Sequence, residues 1–219
     1  MQLDVYNIQG SKVKKISLGD SVFAIPVNES VVHQALLMQR ANKRLGTAST
    51  KTRGDVNRSS KKMYAQKHTG RARRGAAESP VMVGGGIAFG PHPRSYRQDM
   101  PKKMRKLAIR SVLSDKAGTG QIKIVDKFEF DSPQTRKLLD ALVALGIDSG
   151  VLIATTGDDA NLIKSAENLA GVETIPANLL NVLDMLSFKM LLMSEAAAKI
   201  VDSTWGEKAP AKKAAAKAK

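Results

Sequence analysis

The chain has 219 residues, a formal net charge of +15 and no cysteine. A hydrophobic content of 42% supports one folded domain with appendages or two small ones, and it excludes a wholly disordered protein. The missing cysteines exclude disulfides and thiolate chemistry. The first eight residues lack the apolar core of a signal peptide, and no apolar run approaches the ~20 residues of a membrane span. We therefore expect a soluble, cytoplasmic protein without a membrane partner.

The positive charge is concentrated in one internal segment. Residues 40–110 hold nineteen Lys or Arg against three acids, and the tail after Trp205 holds five Lys against one Glu. The remainder of the chain carries −5. A polycation of this density inside an otherwise acidic protein predicts binding to the phosphate backbone of nucleic acid. The alternative is that the cations are only solvated and keep the protein soluble. That alternative does not explain why residues 40–74 hold so many cations that repel one another.

The N-terminal 45 residues are predicted to form strands followed by a helix. Short strands are predicted at residues 3–8, 13–18 and 21–25. Pro26 ends the pattern, and Asn28 is a plausible N-cap for a helix to about Arg40. Hydrophobic periodicity then stops from residue 47 to residue 101. We expect residues 46–97 to form an extended loop that is disordered when free, since it cannot bury enough apolar surface to order itself.

Strands and helices alternate in the C-terminal half. Strands are predicted at residues 122–125, 151–154, 172–175 and 188–193. Helices are predicted at residues 102–116, from Ser132-Pro133 to residue 145, from Asp158 or Asp159 to residue 169, and at residues 178–183 and 195–201. This order predicts an α/β fold with a parallel sheet covered by helices, Rossmann-like and three-layered. The predicted domains are a globule of residues 1–45 and 98–205, the basic loop of residues 46–97 and an Ala/Lys tail of residues 206–219.

The cations of the loop and its flanks are the candidate RNA-binding residues. Extended backbone can carry Lys and Arg along a row of phosphates, with Arg making forked contacts, while Tyr64 and His68 can stack on splayed bases. The candidates are Arg40, Lys43, Arg44, Lys51, Arg53, Arg58, Lys61, Lys62, Lys67, Arg71, Arg73, Arg74, Arg94, Arg97, Lys102 and Lys103.

Other motifs are weaker. The run Gly84-Gly85-Gly86 lacks the following helix of a nucleotide-binding fingerprint, and a turn packed tightly against other backbone explains it better. His33, His68 and His92 have no metal-ligand spacing. An enzyme on a doubly wound sheet would need a glycine fingerprint after a strand, which is missing. We expect no catalytic residue, no metal and no cofactor. A free RNA-binding regulatory or nucleoid-type protein stays open as an alternative.

Several runs closely resemble the universal large-subunit ribosomal protein four family of bacterial type. They are residues 51–56 (KTRGDV), residues 61–73 (KKMYAQKHTGRAR), Ser79-Pro80, the glycine triplet and residues 101–104 (PKKM). The resemblance extends over the chain except for the Ala/Lys tail. It implies a structural, non-catalytic protein that binds large-subunit ribosomal RNA during assembly and contacts neighbouring ribosomal proteins.

The resemblance also implies where parts of the chain lie. The globule is expected on the solvent side of the subunit, and the loop is expected to pass through RNA to the wall of the peptide exit tunnel. Lys51, Arg53, Arg71, Arg73 and Arg74 are then embedded in RNA. The tunnel-facing tip, near the nascent peptide, is Lys61, Lys62, Met63, Tyr64, Ala65, Gln66, Lys67 and His68.

The tip departs from the family pattern. The family usually has Pro-Trp or Pro-Tyr and then Arg before Gln-Lys, followed by Gly-Thr-Gly. This chain has Met63-Tyr64-Ala65, and His68 stands in place of the first glycine. One cation and one flexible glycine are therefore replaced at the tip.

Overall fold

A computed structural model describes residues 1–206 apart from Glu129, Asp131 and Asp158. The predicted Ala/Lys tail, except Gly206, and the alternative helix cap Asp158 lie outside the described residues. Two compact units are present. One comprises Met1–Arg40 together with the chain from Asp99 onward, and the other comprises Ala41–Gln98. We call the first unit the globule and the second the arm.

The globule contains a six-stranded sheet and a set of helices. The strands are β1 (Gln2–Tyr6), β2 (Lys12–Ser17), β3 (Ile122–Val125), β4 (Val151–Thr155), β5 (Val172–Pro176) and β6 (Met190–Ser194). The helices are α1 (Asp20–Phe23), α2 (Glu29–Asn42, whose last two residues belong to the arm), α3 (Lys102–Gly118), α4 (Thr135–Ala144), α5 (Ala160–Ala166), α6 (Val182–Ser187) and α7 (Glu195–Trp205), with a 3₁₀ turn at Ala177–Leu179.

The strand order is β2-β1-β3-β6-β4-β5. Strands β1, β3, β6, β4 and β5 pair in parallel, as the strand–helix alternation predicts. The predicted parallel sheet has an exception at one edge, because β2 pairs antiparallel with β1. The connection between them is too short for a crossover. It is a tight turn in which Asn7 N–H donates to the Ser11 carbonyl at 2.9 Å and Gly10 has φ +82°.

Side chains on the two faces of the sheet belong to two separate apolar clusters. Ile124, Leu152 and Met193 pack with residues of α1, α2, α3, α6 and α7. Val125, Ile153 and Leu192 pack with residues of α4 and α5. Adjacent strand residues thus face opposite clusters, which follows from the two-residue period of a strand. The predicted mixed α/β class is confirmed.

The predicted third strand at residues 21–25 is wrong, since Asp20–Phe23 is a short helix. Val22 and Phe23 are adjacent and both buried, at 0% and 1% exposure. A strand would turn these neighbours to opposite faces, whereas a helical turn permits both to pack on one core. β-Favouring side chains misled the prediction, and tertiary packing decided the conformation.

Two helix starts also differ from the predictions. Helix α4 begins at Thr135, and Ser132 does not cap it; instead the Gln134 N–H donates to the Ser165 hydroxyl at 2.9 Å. The helix predicted at residues 178–183 is a 3₁₀ turn and a separate helix, α6. The side chain of Asn181 caps α6, accepting from the Asp184 N–H at 2.8 Å.

Within the part of the chain that the structure describes, no helix has both the length and the apolar character needed to cross a bilayer.

Candidate nucleic-acid interface

The arm is held together without an apolar core. All of its residues are described, and none of its hydrophobic side chains is buried. Val81, Val83 and Phe89 are almost fully exposed, and Glu78 is the one buried charged or polar residue, at 8% exposure for the whole residue. The arm contains thirteen Lys or Arg and two acids, Asp55 and Glu78, so its formal charge is +11. Its order therefore depends on polar contacts and on whatever neutralises its charge.

Every predicted RNA-binding residue has an exposed side chain. Arg40, Lys102 and Lys103 lie in the globule, on α2 and at the start of α3. The others are in the arm and are all thirteen of its cations: Lys43, Arg44, Lys51, Arg53, Arg58, Lys61, Lys62, Lys67, Arg71, Arg73, Arg74, Arg94 and Arg97. The structure thus leaves this whole set of cations accessible to an anionic partner.

The arm is a chain folded back on itself. Backbone hydrogen bonds join its two halves, from Arg94 N–H to Gly46 at 3.1 Å, from Ile87 N–H to Lys51 at 2.9 Å and from Met63 N–H to Gly75 at 3.2 Å. The only bridge of the β type within residues 41–98 pairs Lys62 with Ala76. The exposed cations of both halves consequently belong to one folded-back segment, where they can contact phosphates.

The middle of the arm packs backbone against backbone at the glycine triplet. A Cβ on Gly86 would lie 2.2 Å from the Arg53 nitrogen, and one on Gly85 would lie 1.9 Å from the Ser79 carbonyl oxygen. The interpretation of this run as a tightly packed turn is confirmed, and no helix follows it before α3. Glycine is needed here because any side chain would separate the two halves.

Two arginines anchor this middle part. The Arg53 guanidinium lies 3.0 Å from the Glu78 carboxylate, whose side chain is 11% exposed. Arg58 donates to the carbonyls of Val83 at 2.6 Å and Ala77 at 3.3 Å. Both side chains remain exposed, so they can hold the arm and still present N–H groups to an anion.

The predicted tip, residues 61–68, is a turn whose side chains are exposed except for the half-buried Tyr64. The Tyr64 hydroxyl donates to the Ala72 carbonyl, and Lys62 Nζ donates to the Arg74 carbonyl at 3.1 Å. His68 has φ +64° and is the only non-glycine residue with positive φ in the described chain. The backbone conformation that glycine favours is therefore kept at the position where the family usually has glycine.

Two contributors to the arm were missed by the sequence reasoning. Glu78 was counted as an acid but not paired with Arg53, because 25 residues separate them. Tyr96 was overlooked, although the guanidinium carbons of Arg44 and Arg94 lie 3.7 Å and 4.5 Å from its ring centroid. Its position between Arg94 and Arg97 in the sequence was the available signal, since arginine stacks on aromatic rings.

One acidic residue of the globule follows a strand end, and its contacts are those of a local turn. Asp159, at the carboxyl end of β4, accepts from the N–H and hydroxyl of Thr156 at 3.1 Å and 2.9 Å, which is a local turn. Within the described residues no group of three or more His, Cys, Asp or Glu is arranged to hold a metal ion. Met185 and Met193 are fully buried and belong to the core.

An α/β globule together with a coreless, strongly cationic arm defines a class of protein that binds nucleic acid through an extended basic segment. Residues 16–204 match the model of the family described as "Ribosomal protein L4/L1 family". The chain is 51% identical over 208 residues to "Large ribosomal subunit protein uL4" of Dehalococcoides mccartyi strain 195, covering 95% of this chain and 99% of that protein. It is 44% identical over 202 residues to the protein of that name from Symbiobacterium thermophilum, covering 92% and 98%. It is 42% identical over 201 residues to that of Desulfatibacillum aliphaticivorans, covering 92% and 97%.

The chain belongs to the ribosomal protein L4/L1 family. The family expected from the resemblance is thereby confirmed, and with it a structural, non-enzymatic role.

Proposed function

We propose that this protein is a structural constituent of the large ribosomal subunit whose arm binds ribosomal RNA during assembly. The main observation in support of RNA binding is that all thirteen arm cations are exposed on a unit without an apolar core. The matching relatives are named as large-subunit proteins over nearly their full length, which supports the same assembly for this chain. Partners are then ribosomal RNA and neighbouring ribosomal proteins, in the cytoplasm.

Charge neutralisation is the proposed driving force. Thirteen cations and two acids give the arm a net charge of +11, and its compact conformation brings like charges together. Ribosomal RNA supplies phosphates at a spacing that arm cations can follow, and each contact releases condensed counterions. The arm is disordered when free, and RNA binding both orders it and fixes its path. If about ten cations neutralise phosphates, log affinity falls with log salt at a slope of about −7 to −9.

The two units have different roles in this proposal. The globule is a Rossmann-like, three-layer scaffold on the solvent side of the subunit, and the arm passes through RNA to the peptide exit tunnel. The exposed tip, residues 61–68, faces the tunnel and the nascent peptide. This placement rests on the family resemblance of residues 61–73 and on the accessibility of the tip.

Deletion of residues 47–97 tests the role of the arm. The remaining ends can be joined because the Asn42 side chain pairs with the Gln98 backbone, at 2.7 Å and 3.1 Å. The shortened chain is expected to unfold cooperatively yet to be missing from large subunits purified by sedimentation in high salt. Normal incorporation of the shortened chain would contradict the proposal.

Two full-length variants distinguish the effect of net charge on RNA binding from the effect of where the cations lie. In the first, Lys61, Lys67, Arg71, Arg73 and Arg74 become Gln. In the second, the same number of exposed cations of the globule become Gln, namely Lys15, Arg136, Lys137, Lys164 and Lys189. Both variants lose five charges. The salt slope of RNA binding should fall by about four in the arm variant and by much less in the globule variant, since slope counts neutralised phosphates. Equal slopes would mean that RNA binding follows net charge alone.

A further inference from the structure

A shallow concavity, largely open to solvent, lies in the part of the arm farthest along the chain from its tip. Residues 44–47 and 93–97, with Asn42, line a volume of about 490 Å³. Three of the lining side chains are arginines, Arg44, Arg94 and Arg97, and none of the lining residues, all of them described, is acidic. Every charged side chain that lines the site is therefore positively charged.

Tyr96 organises two of these arginines. The Arg44 guanidinium carbon lies 3.7 Å from the Tyr96 ring centroid, and that of Arg94 lies 4.5 Å away. The neighbouring Arg94 guanidinium, together with the charge of Arg44, lowers the pKa of Tyr96 below its usual value. Stacking on a ring leaves the N–H edge of a guanidinium free to donate, while it removes rotamer freedom before a ligand arrives.

The backbone around Tyr96 is built for this arrangement. Gly46 has φ +68° and accepts from the Arg94 N–H at 3.1 Å. A Cβ on Gly46 would lie 2.0 Å from the Arg94 carbonyl oxygen and 3.1 Å from the Tyr96 ring. Only glycine permits this approach, so the two backbone segments of the site are held close enough for Arg44 to reach the ring.

Two guanidinium groups near one ring repel each other, and the aromatic quadrupole offsets only part of that repulsion. A single anion that accepts from both groups would offset the rest. A phosphodiester fits, because its two free oxygens match the forked donors of arginine. A carboxylate has the same geometry, but the partner of this arm is a polyanion of phosphodiesters.

We propose that Arg44, Arg94 and Tyr96 form a preorganised site for one phosphodiester of ribosomal RNA, in which Tyr96 is an uncharged positioning residue. The proposal rests on the RNA-binding function above and adds a specific contact to it. It differs from diffuse charge attraction in one measurable respect: a substitution that changes no charge should alter the number of phosphates neutralised.

The test measures binding of the full chain to large-subunit ribosomal RNA transcribed in vitro, by filter retention over a range of KCl concentrations. Tyr96→Leu removes the ring and is expected to weaken binding about tenfold and to reduce the salt slope by about one, as the loss of one phosphate contact does. Tyr96→Phe keeps the ring and should retain the slope. Arg44→Lys keeps the positive charge but removes the paired N–H donors of the guanidinium. The affinity for RNA should therefore fall about threefold or more, with the salt slope retained.

Each result has a distinct meaning. A wild-type chain that does not bind this RNA would overturn the proposed function itself. A wild-type chain that binds, with Tyr96→Leu equal to it in affinity and slope, would overturn the site alone. A fall of several slope units for Tyr96→Leu would also overturn it, because Tyr96 would then organise the whole arm and not one phosphate contact.

Discussion

The globule and the arm are ordered by opposite means. In the globule, parallel strands such as β4 are buried along their whole length, and apolar clusters cover both faces of the sheet. In the arm no hydrophobic side chain is buried, and glycine backbones and a few arginine contacts join its halves. Apolar burial stabilises a fold in water by itself, whereas a charged arm requires a partner. The proposed function therefore combines, in one chain, a unit expected to fold alone and a unit expected to fold on its target.

The largest expected contrast is in hydrogen exchange of the free chain. Amides of β4 and β6, such as those of Ile153 and Leu192, should exchange more than about a thousandfold slower than amides of residues 50–95, since core amides require global unfolding. Addition of ribosomal RNA should slow exchange in the arm and leave the globule unchanged. Equal protection of both units without RNA would disprove RNA-dependent ordering.

The globule has an apolar core and the arm has none, and this difference determines how much of each unit can be predicted from the sequence. Strand β4 was predicted to within one residue, because a buried parallel strand is an apolar run. Strand β3 was predicted with its observed bounds, although Lys123 interrupts its apolar residues. Helix α1 was mistaken for a strand because Val22 and Phe23 favour β-structure locally and their burial depends on partners distant in sequence.

Within the arm, the sequence revealed which residues are exposed cations but not how they are arranged. Local patterns carry no information on pairs such as Arg53 with Glu78, or Arg44 with Tyr96, which lie 25 and 52 positions apart. The Gly84-Gly85-Gly86 run was recognised as a packed turn, but its partners, Ser79 and Arg53, follow only from the three-dimensional fold. Hydrophobic periodicity is the main sequence signal, and an arm without a core lacks it.

A pair of leucines tests whether stability comes from the globule alone. Leu113 on α3 is fully buried, while Leu45 in the arm is 87% exposed. Leu113→Ala should reduce the free energy of unfolding by about 3 kcal/mol, since it leaves a cavity in the core. Leu45→Ala should change it by less than about 0.5 kcal/mol. Urea denaturation of the RNA-free chain measures both, and comparable losses would mean that the arm contributes to the cooperative unit.

The folding stability of the globule should also fall at acidic pH. Glu195 lies 2.6 Å from Lys14 Nζ and 2.8 Å from Lys199 Nζ. Hydrogen bonds from these ammonium groups lower the pKa of Glu195 from 4.5 to about 2. A lowered carboxyl pKa means that the stabilisation is complete above the unfolded pKa near 4.5 and is lost as the pH falls through about 2.

The Glu195→Gln variant should therefore be less stable than wild type at pH 7, by about 1 kcal/mol because the partner lysines are exposed and screened. The difference should shrink as the pH falls from 4.5 towards 2. Urea denaturation at pH 7 and pH 3 measures it. A difference independent of pH would assign the effect to packing. Asp140→Asn on α4, which removes an exposed carboxylate of the globule, is the matched control.

The smallest expected effect concerns the tip of the arm. His68 has φ +64°, a conformation that costs a non-glycine residue about 1 kcal/mol. The strain applies only when the tip is ordered, so it should appear in RNA binding and not in the stability of the free chain. His68→Gly should bind ribosomal RNA a few-fold more tightly than His68→Ala, since both lose the imidazole and only alanine keeps the strain. Filter retention in high salt compares them, and equal affinities would show that RNA binding does not require the left-handed turn at residue 68.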